Sequence, residues 1–411
     1  MNDVGHQSSF RYDPFSVEAM RDPYRFYPTL REEFPAYFIP EYDTYVFSRY
    51  ADVWDGFMDG EHFSEAERQL FSREDLLVHH RGNPPQPVLD PMGMFLFLDP
   101  PLHTGFRRAL APPFTKPNVG KLAEQITTLV RDRLAELLPR GRFDLNTDFG
   151  SYVSAAATST ILGFPISDAE RLVSLVNRMV AREGDKPGGT PDGVVARNEV
   201  MDYLISAVAA RRAGRSAENG IIDPLITADL IGRPLTDPEV AIDLLSILVG
   251  GSETVPKVLA GGILALWKQP DQLAQVLADP VAAAAPLYEE SLRYCAPAQW
   301  FGRTVKKRHE LGGVTLEPGQ RVILLIAAAN RDPREFDAPE SFIWNREHRR
   351  MLSFGVGPHF CIGAHLARLE GQIMVRELLS AAPRFTLEPE AGDWAVSEFQ
   401  VGWTKLPIRI D

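Results

Sequence analysis

The sequence contains only two cysteines, Cys295 and Cys361, in 411 residues. Two thiols are too few for a disulfide framework or for a metal site made of four thiolates, and they suit a reducing compartment such as the cytoplasm. No window reaches about 18 uninterrupted apolar residues, the length that spans a bilayer. Residues 1–13 also lack the apolar run of a signal peptide. A cytoplasmic protein without a membrane segment is therefore expected.

The chain also lacks an excess of positive charge. Lys and Arg number 43 against 55 Asp and Glu, which gives a net charge of −12. Nucleic-acid phosphates bind positive surfaces, so nucleic acid is not an expected partner. The sequence contains no G-x-G-x-x-G fingerprint of a flavin or nicotinamide site. Electrons for any redox reaction would therefore arrive from a separate protein.

The spacing of apolar residues predicts a mainly α-helical protein with a small β region. Aromatic and β-branched runs predict a hairpin over residues 36–48, and strand-like pieces return at 314–326 and 383–410. No linker, low-complexity tract or repeat divides the chain, although its length alone suggests about two or three domains. Residues 65–98 show no clear period and end in an apolar run that we expect to fold over a cavity. Helices are predicted over residues 22–33, 50–58, 122–138, 168–181, 194–212, 238–267 and 364–379.

A glycine-rich stretch, Phe-Gly-Val-Gly-Pro-His-Phe-Cys-Ile-Gly at residues 354–363, delivers Cys361 to the start of a predicted helix. Glycines carry no Cβ and let the backbone approach a large flat group, which Phe354 and Phe360 would line. Free N–H groups and the dipole at a helix N-terminus favour a thiolate. The alternative is a buried, inert cysteine, which is what most free cysteines are.

A second unusual stretch, residues 250–256, lies inside the longest predicted helix. Glycine costs about 1 kcal/mol relative to alanine in a helix interior, so its two consecutive glycines need a reason. Thr254 can bond back to a carbonyl one turn earlier, and Pro256 removes an intrahelical bond. These residues predict a locally opened helix, with the hydroxyl of Thr254 and the carboxylate of Glu253 beside the gap. The alternative is a patch of small residues where two helices cross closely.

Charged and imidazole side chains form two further patterns. Glu290 and Arg293 lie three residues apart, so they share one helix face and can pair. His103 and Arg107 lie one helical turn apart and face the same way. Arginine suits bidentate contacts with carboxylates. Taken singly, such residues usually lie at the surface, where ion pairs contribute little.

These motifs resemble, in order along the chain, those of the cytochrome P-450 family of haem-thiolate monooxygenases in its soluble bacterial form. The loop matches Phe-x-x-Gly-x-x-x-Cys-x-Gly, the helix matches Gly-Gly-x-(Glu/Asp)-Thr, and Glu290 with Arg293 matches Glu-x-x-Arg. Val255 and Pro256 depart from the commonest form of the second motif. The resemblance covers nearly the whole chain. It implies one domain over residues 1–411, folded as a triangular, mainly α-helical prism with a small β-rich region.

The resemblance implies a haem b cofactor clamped between the Thr254 helix and the Cys361 helix, with the Cys361 thiolate as the iron ligand. It further implies that Thr254 hydrogen-bonds dioxygen and that Glu253 relays protons through ordered water. The other residues expected to contact haem are His103, Arg107, Arg303, His359, Phe354, Gly357 and Gly251. The residues expected to contact substrate are Met94, Leu96, Ser246, Val249, Trp300, Phe301, Phe399 and Gln400. The residues expected to have a structural role are Glu290, Arg293 and Arg346.

The implied reaction inserts one oxygen atom from O2 into a small or medium hydrophobic substrate. Electrons from NAD(P)H would come through a ferredoxin and ferredoxin reductase or a flavoprotein reductase, and a monomer is expected. Two other functions are compatible with the motifs: other haem-thiolate chemistry, as in a peroxygenase or dehydratase, and a non-catalytic haem sensor or ligand-binding module. Intact Glu253 and Thr254 argue against chemistry driven by peroxide alone. A basic island is predicted to dock the redox partner, with a solvated face as the alternative, and consists of Arg108, Lys116, Arg349 and Arg350.

Overall fold

A computed structural model describes residues 10–67, 69–78, 95–184, 186–215, 221–347 and 350–411. Within these ranges the α-helices are α1 (Val17–Arg21), α2 (Tyr27–Glu32), α3 (Tyr50–Met58), α4 (Arg73–Leu77), α5 (Leu102–Leu110), α6 (Lys116–Gly120), α7 (Ala123–Leu137), α8 (Ser151–Leu162), α9 (Ala169–Val180), α10 (Pro191–Arg212), α11 (Ile222–Thr227), α12 (Asp237–Trp267), α13 (Pro270–Ala278), α14 (Pro280–Tyr294), α15 (Ile326–Ala329) and α16 (Ala364–Ala381). The strands are β1 (Ala36–Ile39), β2 (Thr44–Phe47), β3 (Phe63–Ser64), β4 (Arg142–Asp144), β5 (Phe301–Val305), β6 (His309–Leu311), β7 (Val314–Leu316), β8 (Arg321–Leu324), β9 (Phe385–Leu387), β10 (Asp393–Trp394), β11 (Trp403–Lys405) and β12 (Pro407–Ile410).

Most helices predicted from apolar spacing form close to their predicted bounds. Helices α3, α7, α9, α12 and α16 are confirmed within about two residues at each end, the usual uncertainty of a helix boundary. Helix α10 begins earlier than predicted, at Pro191. Its start is fixed by Thr190, whose hydroxyl accepts a hydrogen bond from the Gly193 N–H at 2.8 Å, and by a proline at the first helical position.

The single helix predicted over residues 22–33 is wrong. Helix α1 ends at Arg21, and a 3₁₀ turn at Pro23–Arg25 separates it from α2. A proline ring disfavours the helical conformation of the residue before it, so Pro23 ends α1 at this point. Pro28 is tolerated because it lies in the first turn of α2.

Apolar spacing does not predict α8, because its small side chains show no amphipathic pattern. Nearly every residue of this helix is buried, as expected for a helix surrounded by protein on all sides. It packs against α12, where a Cβ added at Gly251 would lie 2.2 Å from the hydroxyl oxygen of Thr158. The two helices can cross this closely only because position 251 is glycine.

The central element is α12, a helix of 31 residues that begins with a capping box. It remains α-helical through Pro256, although this proline has no N–H to donate to the carbonyl one turn earlier. The Thr254 hydroxyl does bond back to the Gly250 carbonyl, at 2.8 Å, but the surrounding helices hold the chain helical. Helix α12 is long and apolar enough to cross a membrane by composition, yet 72% of its most apolar window is buried within the protein. It is a core helix.

The main sheet has the strand order β1-β2-β8-β5-β3. Strands β1 and β2 form the predicted hairpin, with Ala36 opposite Phe47. Strand β8 runs parallel to β2 and antiparallel to β5, which places Arg303 in the middle of the sheet, opposite Val322. The C-terminal strand-like pieces form β9 to β12, and β12 joins β4 and β9 in a second sheet.

Two large hydrophobic cores support these elements. One surrounds α12, and the other lies against the main sheet and the N-terminal aromatic residues. The cysteine loop, residues 354–363, lies where they meet, since Phe354 packs against the first core and Val356 against the second. The assignment of residues 1–411 to one domain remains a prediction.

A buried ion-pair network forms at the end of α14. Glu290 is fully buried and accepts two hydrogen bonds from Arg293, at 2.7 and 2.8 Å. Arg346 donates from its Nε to both oxygens of the same carboxylate at 3.1 Å. The predicted association of these three residues is confirmed.

The network is connected directly to the cysteine loop. Arg293 donates to the backbone carbonyl of Asn330 at 2.9 Å. The Asn330 side chain accepts from the Leu352 N–H and donates to the Ser353 hydroxyl, both at 2.8 Å. These two residues immediately precede Phe354, the first residue of the loop. The ion pairs therefore fix the position at which the loop begins.

We predict that Glu290→Gln destabilises the protein by roughly 3–5 kcal/mol, the usual effect of breaking a buried ion pair. The substitution keeps the side-chain shape but leaves two guanidinium groups without a counter-charge. Urea unfolding followed by circular dichroism measures the change. The matched control is Glu289→Gln, which removes a partly exposed pair with Arg368 and should cost under about 1 kcal/mol. Equal losses in the two variants would contradict a special role for the buried carboxylate.

Candidate active site

The cysteine loop is shaped by glycines at the positions where the backbone turns. Gly355 and Gly357 have φ values of +65° and +80°, a region that other residues rarely adopt. A Cβ at Gly357 would also lie 2.8 Å from the backbone oxygen of Phe57, at the end of α3. The Cys361 N–H closes the loop by donating to the Phe354 carbonyl at 2.8 Å. The loop can therefore adopt this conformation only with glycine at positions 355 and 357.

Cys361 lies just before α16, as predicted. Burial raises the pKa of the Cys361 thiol above its ordinary value, although the Gly363 N–H and two nearby guanidinium groups act in the opposite direction. In the free side chain the cost of burying the charge is the largest of these effects. A bound metal cation would reverse the balance, since coordination deprotonates a thiol.

A cluster of buried hydrogen-bond donors brings together the predicted haem-contacting residues His103, Arg303 and His359. The imidazole rings of His103 and His359 stack at 3.8 Å between centroids. Among the described residues, no hydrogen-bond partner is found for either ring nitrogen of His103, for Nε2 of His359 or for one terminal nitrogen of Arg303. Burial lowers the pKa of His103 to about 4 and that of His359 to about 2, so both rings are neutral at pH 7.

Arg107 lies one turn after His103 on α5 and is partly buried. Among the described residues, no carboxylate lies within ion-pair distance of its guanidinium group. Buried groups of this kind are normally satisfied, so unpartnered donors beside an unpaired arginine indicate a place for anionic oxygens. The two carboxylates of haem fit this donor set, and the planar macrocycle fits the glycine-rich loop beside it.

Glu65 is a member of this cluster that the sequence patterns do not predict. Its carboxylate lies 2.8 Å from Nε of Arg303 and 3.7 Å from Nε2 of His359. Burial raises the pKa of Glu65 to about 7, because desolvation outweighs the attraction of Arg303. Glu65 follows β3 in a region without apolar period, so only its contacts across the chain reveal its role.

The predicted catalytic pair on α12 is divided between two environments. The Thr254 side chain is partly exposed and Gly250 is open, since a methyl group placed at that glycine would have no atom of the described residues within 4 Å. The space beside Gly251, in contrast, is filled by Thr158 of α8. The structure thus corrects the expectation for Gly251: it is a packing position, and Gly250 is the one that leaves space beside Thr254.

Glu253 is buried on another side of α12, where it forms an ion pair with Lys257. The Lys257 ammonium group also donates to the Glu253 backbone carbonyl at 3.2 Å. Both side chains are almost inaccessible to solvent, with 5% and 3% exposed. Lys257 could have been predicted from the sequence as the partner of Glu253, since Glu and Lys four residues apart pair on a helix.

The residues expected to contact substrate fall into three groups. Met94 lies outside the described residues. Leu96, Val249, Phe301 and Phe399 are partly buried apolar side chains, and the rings of Phe301 and Phe399 lie 5.4 Å apart. Ser246 and Gln400 are polar; the Ser246 hydroxyl donates to the Asp243 carbonyl at 2.8 Å.

Trp300 is a correction to that set. Its side chain is fully buried in the second core, where it stacks on Phe71 at 6.2 Å. Its indole N–H donates to the backbone carbonyl of Glu398 at 2.7 Å. An aromatic residue next to a partly exposed Phe301 resembles a pocket residue in the sequence, but alternation along the chain turns Trp300 inward. It is a core residue that supports the C-terminal turn.

Asp243 is a second polar group that the motifs do not predict. One carboxylate oxygen accepts a hydrogen bond from the Phe95 N–H at 2.7 Å, and the other is buried with no partner in the part of the chain that the structure describes. Burial raises the pKa of Asp243 to about 8. This contact attaches the 3₁₀ turn Phe95–Phe97, which contains Leu96, to the first half of α12.

We predict that Glu65 makes the reduction potential of the haem-loaded protein depend on pH. The ionised carboxylate favours the ferric state, so the potential should fall as pH rises through about 7, the pKa of Glu65. Glu65→Gln should raise the potential at pH 8 and flatten this dependence. Potentiometric titration between pH 5.5 and 8.5 measures both, with Glu61→Gln as a surface control. The same pH slope in Glu65→Gln and in the unaltered protein would contradict the assignment.

Comparison with known proteins agrees with this geometry. A family model described as Cytochrome P450 matches residues 287–410. Cytochrome P450 109 of Bacillus spizizenii is 31% identical over 401 residues, which cover 94% of this chain and 92% of that protein. Vitamin D(3) 25-hydroxylase of Pseudonocardia autotrophica is 28% identical over 406 residues, with 97% and 96% coverage.

The fold agrees as well. The crystal structure of a post-tailoring hydroxylase of himastatin biosynthesis superposes with a TM-score of 0.81 at 26% identity, covering 96% of this chain and 100% of that one. Similarity of this extent covers nearly the whole chain, and the residues matched by the family model include the cysteine loop. The chain belongs to the cytochrome P450 family of monooxygenases, whose members bind haem b through a cysteine thiolate.

Proposed function

We propose that this P450 inserts one oxygen atom from O2 into a small or medium hydrophobic organic substrate. The observation that supports this most is the partly exposed hydroxyl of Thr254 beside the open position at Gly250. A protein driven by peroxide alone, or one that only binds a ligand, has no need of a hydroxyl group at this place. Haem ligated by the Cys361 thiolate supplies the activation of O2 and the oxygen transfer.

The remaining chemistry belongs to side chains of this protein. Thr254 holds its proton on the Gly250 carbonyl and can turn it toward a ligand in the open space beside it. Glu253 can supply protons only after it exchanges Lys257 for water, because the carboxylate is engaged in the buried pair. We propose that proton delivery on the distal side therefore depends on a movement of the Glu253 side chain, whereas Thr254 is already in position.

The donor cluster positions the cofactor. We propose that His103, Arg107, Arg303 and His359 bind the haem carboxylates, with Phe354 and Gly357 against the macrocycle. The two neutral imidazoles can donate hydrogen bonds without adding charge, and Glu65 offsets one of the two arginines. The side chains of the proposed site therefore carry a small net positive charge, and this charge faces the two negative carboxylates of the haem.

The proposed substrate is apolar because the partly buried residues on the distal side, Leu96, Val249, Phe301 and Phe399, are aliphatic or aromatic. Two of the similar proteins are hydroxylases by name, one of vitamin D(3) and one of himastatin biosynthesis. Arg182, after α9, forms a two-pronged ion pair with Glu398 at 2.9 and 3.1 Å, and we propose that this pair borders the substrate side.

Electrons from NAD(P)H are proposed to reach the haem from a ferredoxin or a flavoprotein reductase, in a monomeric cytoplasmic protein. The proposed docking surface is the cysteine side of the molecule, where Phe360 is exposed beside Arg350 and Arg368. Arg350 is paired with Glu335 at 2.8 Å, so it contributes less positive charge than the sequence suggested. Arg108 and Lys116 are exposed, and Arg349 lies outside the described residues.

We predict that Thr254→Ala keeps haem and substrate binding but diverts electrons to hydrogen peroxide, because the distal proton is no longer placed. Product formed per NAD(P)H should fall several-fold, with a matching rise in peroxide. Thr254→Ser, which keeps the hydroxyl, should restore most of the yield. Equal yields in the alanine variant and the unaltered protein would contradict the assigned role. Peroxide-supported product formation without NAD(P)H at the full rate would favour a peroxygenase instead.

We predict that Lys257→Met destabilises the protein by roughly 3–5 kcal/mol, because it leaves the Glu253 carboxylate buried without its partner. The double variant Glu253→Gln/Lys257→Met should recover most of that loss, since no buried charge remains. Thermal unfolding of the haem-loaded proteins, with both single variants, completes the double-mutant cycle. Additive effects of the two substitutions would show that the two side chains are not paired in the folded protein.

A further inference from the structure

A group of metal-ligating side chains lies away from the haem site, where α3, β3 and β6 meet. Asp59 follows α3, His62 precedes β3, and His309 begins β6. Nδ1 of His62 lies 2.7 Å from Oδ2 of Asp59, and Nε2 of His309 lies 3.6 Å from the same oxygen. Three potential ligand atoms thus lie within 4.8 Å of one another.

The carboxylate is oriented before any ligand binds. Oδ1 of Asp59 accepts hydrogen bonds from the backbone N–H groups of Glu61 and His62 at 3.1 and 3.0 Å. Its other oxygen, Oδ2, is thereby directed at both imidazoles. Partners of this kind fix the geometry of a metal-binding carboxylate.

The two imidazoles are held by the sheet. The His62 carbonyl accepts a hydrogen bond from the Lys306 N–H at 2.7 Å, next to the pairing of Phe63 with Val305. The His309 ring stacks on the His62 ring at 4.3 Å and meets the Phe63 ring edge to face at 5.7 Å. Both rings therefore approach the carboxylate from fixed backbone positions.

The charge around the site suits a divalent cation. Lys307 is paired with Glu61 at 2.9 Å, and the Lys306 ammonium group donates to the Gly60 carbonyl at 2.9 Å. The three ligands together carry one negative charge when the imidazoles are neutral. About a quarter of each side chain is exposed, so an ion can enter from solvent.

We propose that Asp59, His62 and His309 bind one divalent transition-metal ion of the zinc type, with water as the fourth ligand. Two imidazole nitrogens and one carboxylate oxygen form a common zinc set, at about 2.0–2.2 Å from the metal. Tetrahedral bonds of that length separate the ligand atoms by about 3.3 Å, a value that lies between the two distances observed here. Magnesium and calcium are not suited, because they require mostly oxygen ligands.

The bound ion would add one link between the end of α3, the start of β3 and the β6–β7 hairpin, beside backbone hydrogen bonds such as the one from the Phe63 N–H to the Asp59 carbonyl at 3.1 Å. Strand β3 leads directly to Glu65 of the haem-carboxylate cluster. The site is separate from the haem and needs no redox chemistry of its own, so its failure would leave the proposed function untouched.

Isothermal titration of tag-free, EDTA-dialysed, haem-loaded protein with ZnCl2 tests the proposal. We expect one saturable site, no competition by millimolar MgCl2, and binding weakened by at least about tenfold in His62→Ala and His309→Ala. His365→Ala removes an exposed histidine of α16 and is the matched control, which should bind as the unaltered protein does. Asp59→Asn keeps the backbone hydrogen bonds at Oδ1 and tests the carboxylate without disturbing the turn.

A zinc-dependent rise in melting temperature, lost in the ligand variants, is the second expected result. Absence of saturable zinc binding to the unaltered protein would overturn the proposal. Equal affinity in the unaltered protein, Asp59→Asn and both histidine variants would also overturn it, because the zinc would then be bound elsewhere. The absorption spectrum of the reduced, CO-bound protein confirms that each variant is folded.

Discussion

A single carboxylate buried without access to water, Glu290, determines where the haem-binding loop begins. Such a group is stable only when charged donors surround it, and Arg293 and Arg346 supply four of the hydrogen bonds. Arg293 then reaches the Asn330 carbonyl, and the Asn330 side chain holds the residues before Phe354. Cys361 is thus positioned through a series of polar contacts that starts at Glu290, near the end of α14. Its precision does not come from the loop alone, whose glycines permit its shape but do not impose it.

The cluster of arginines and histidines beside the loop carries little net charge. Two arginines and two histidines look from the sequence like a strongly positive site. Burial keeps both imidazoles neutral, and Glu65 lies against Arg303 and His359. The site therefore offers many donors but little excess charge, which suits a cofactor whose carboxylates and iron carry opposite charges.

The sequence predicts those parts of the site whose residue types and spacing are typical of a single function. The cysteine loop, the threonine on α12 and the Glu290 pair are of this kind, as are the helices whose apolar residues follow a regular period. It does not predict Glu65 or Asp243, whose roles depend on partners 238 and 148 residues away in the chain. Helix α8 is missed because complete burial removes its amphipathic pattern, and Gly251 is misassigned because a glycine that faces a ligand and one that faces a helix look alike. Long-range contact, which a local pattern does not contain, separates the two groups.

The corrected role of Trp300 shows how the distal side is supported. Its indole holds the Glu398 backbone from within the core, and the Glu398 carboxylate extends outward to Arg182 beyond α9. Glu398 is 10% exposed and Arg182 20%, so this pair is shielded enough to contribute more than a typical surface ion pair. The start of the segment between α9 and α10 is thereby attached to a turn that cannot move without disturbing the core.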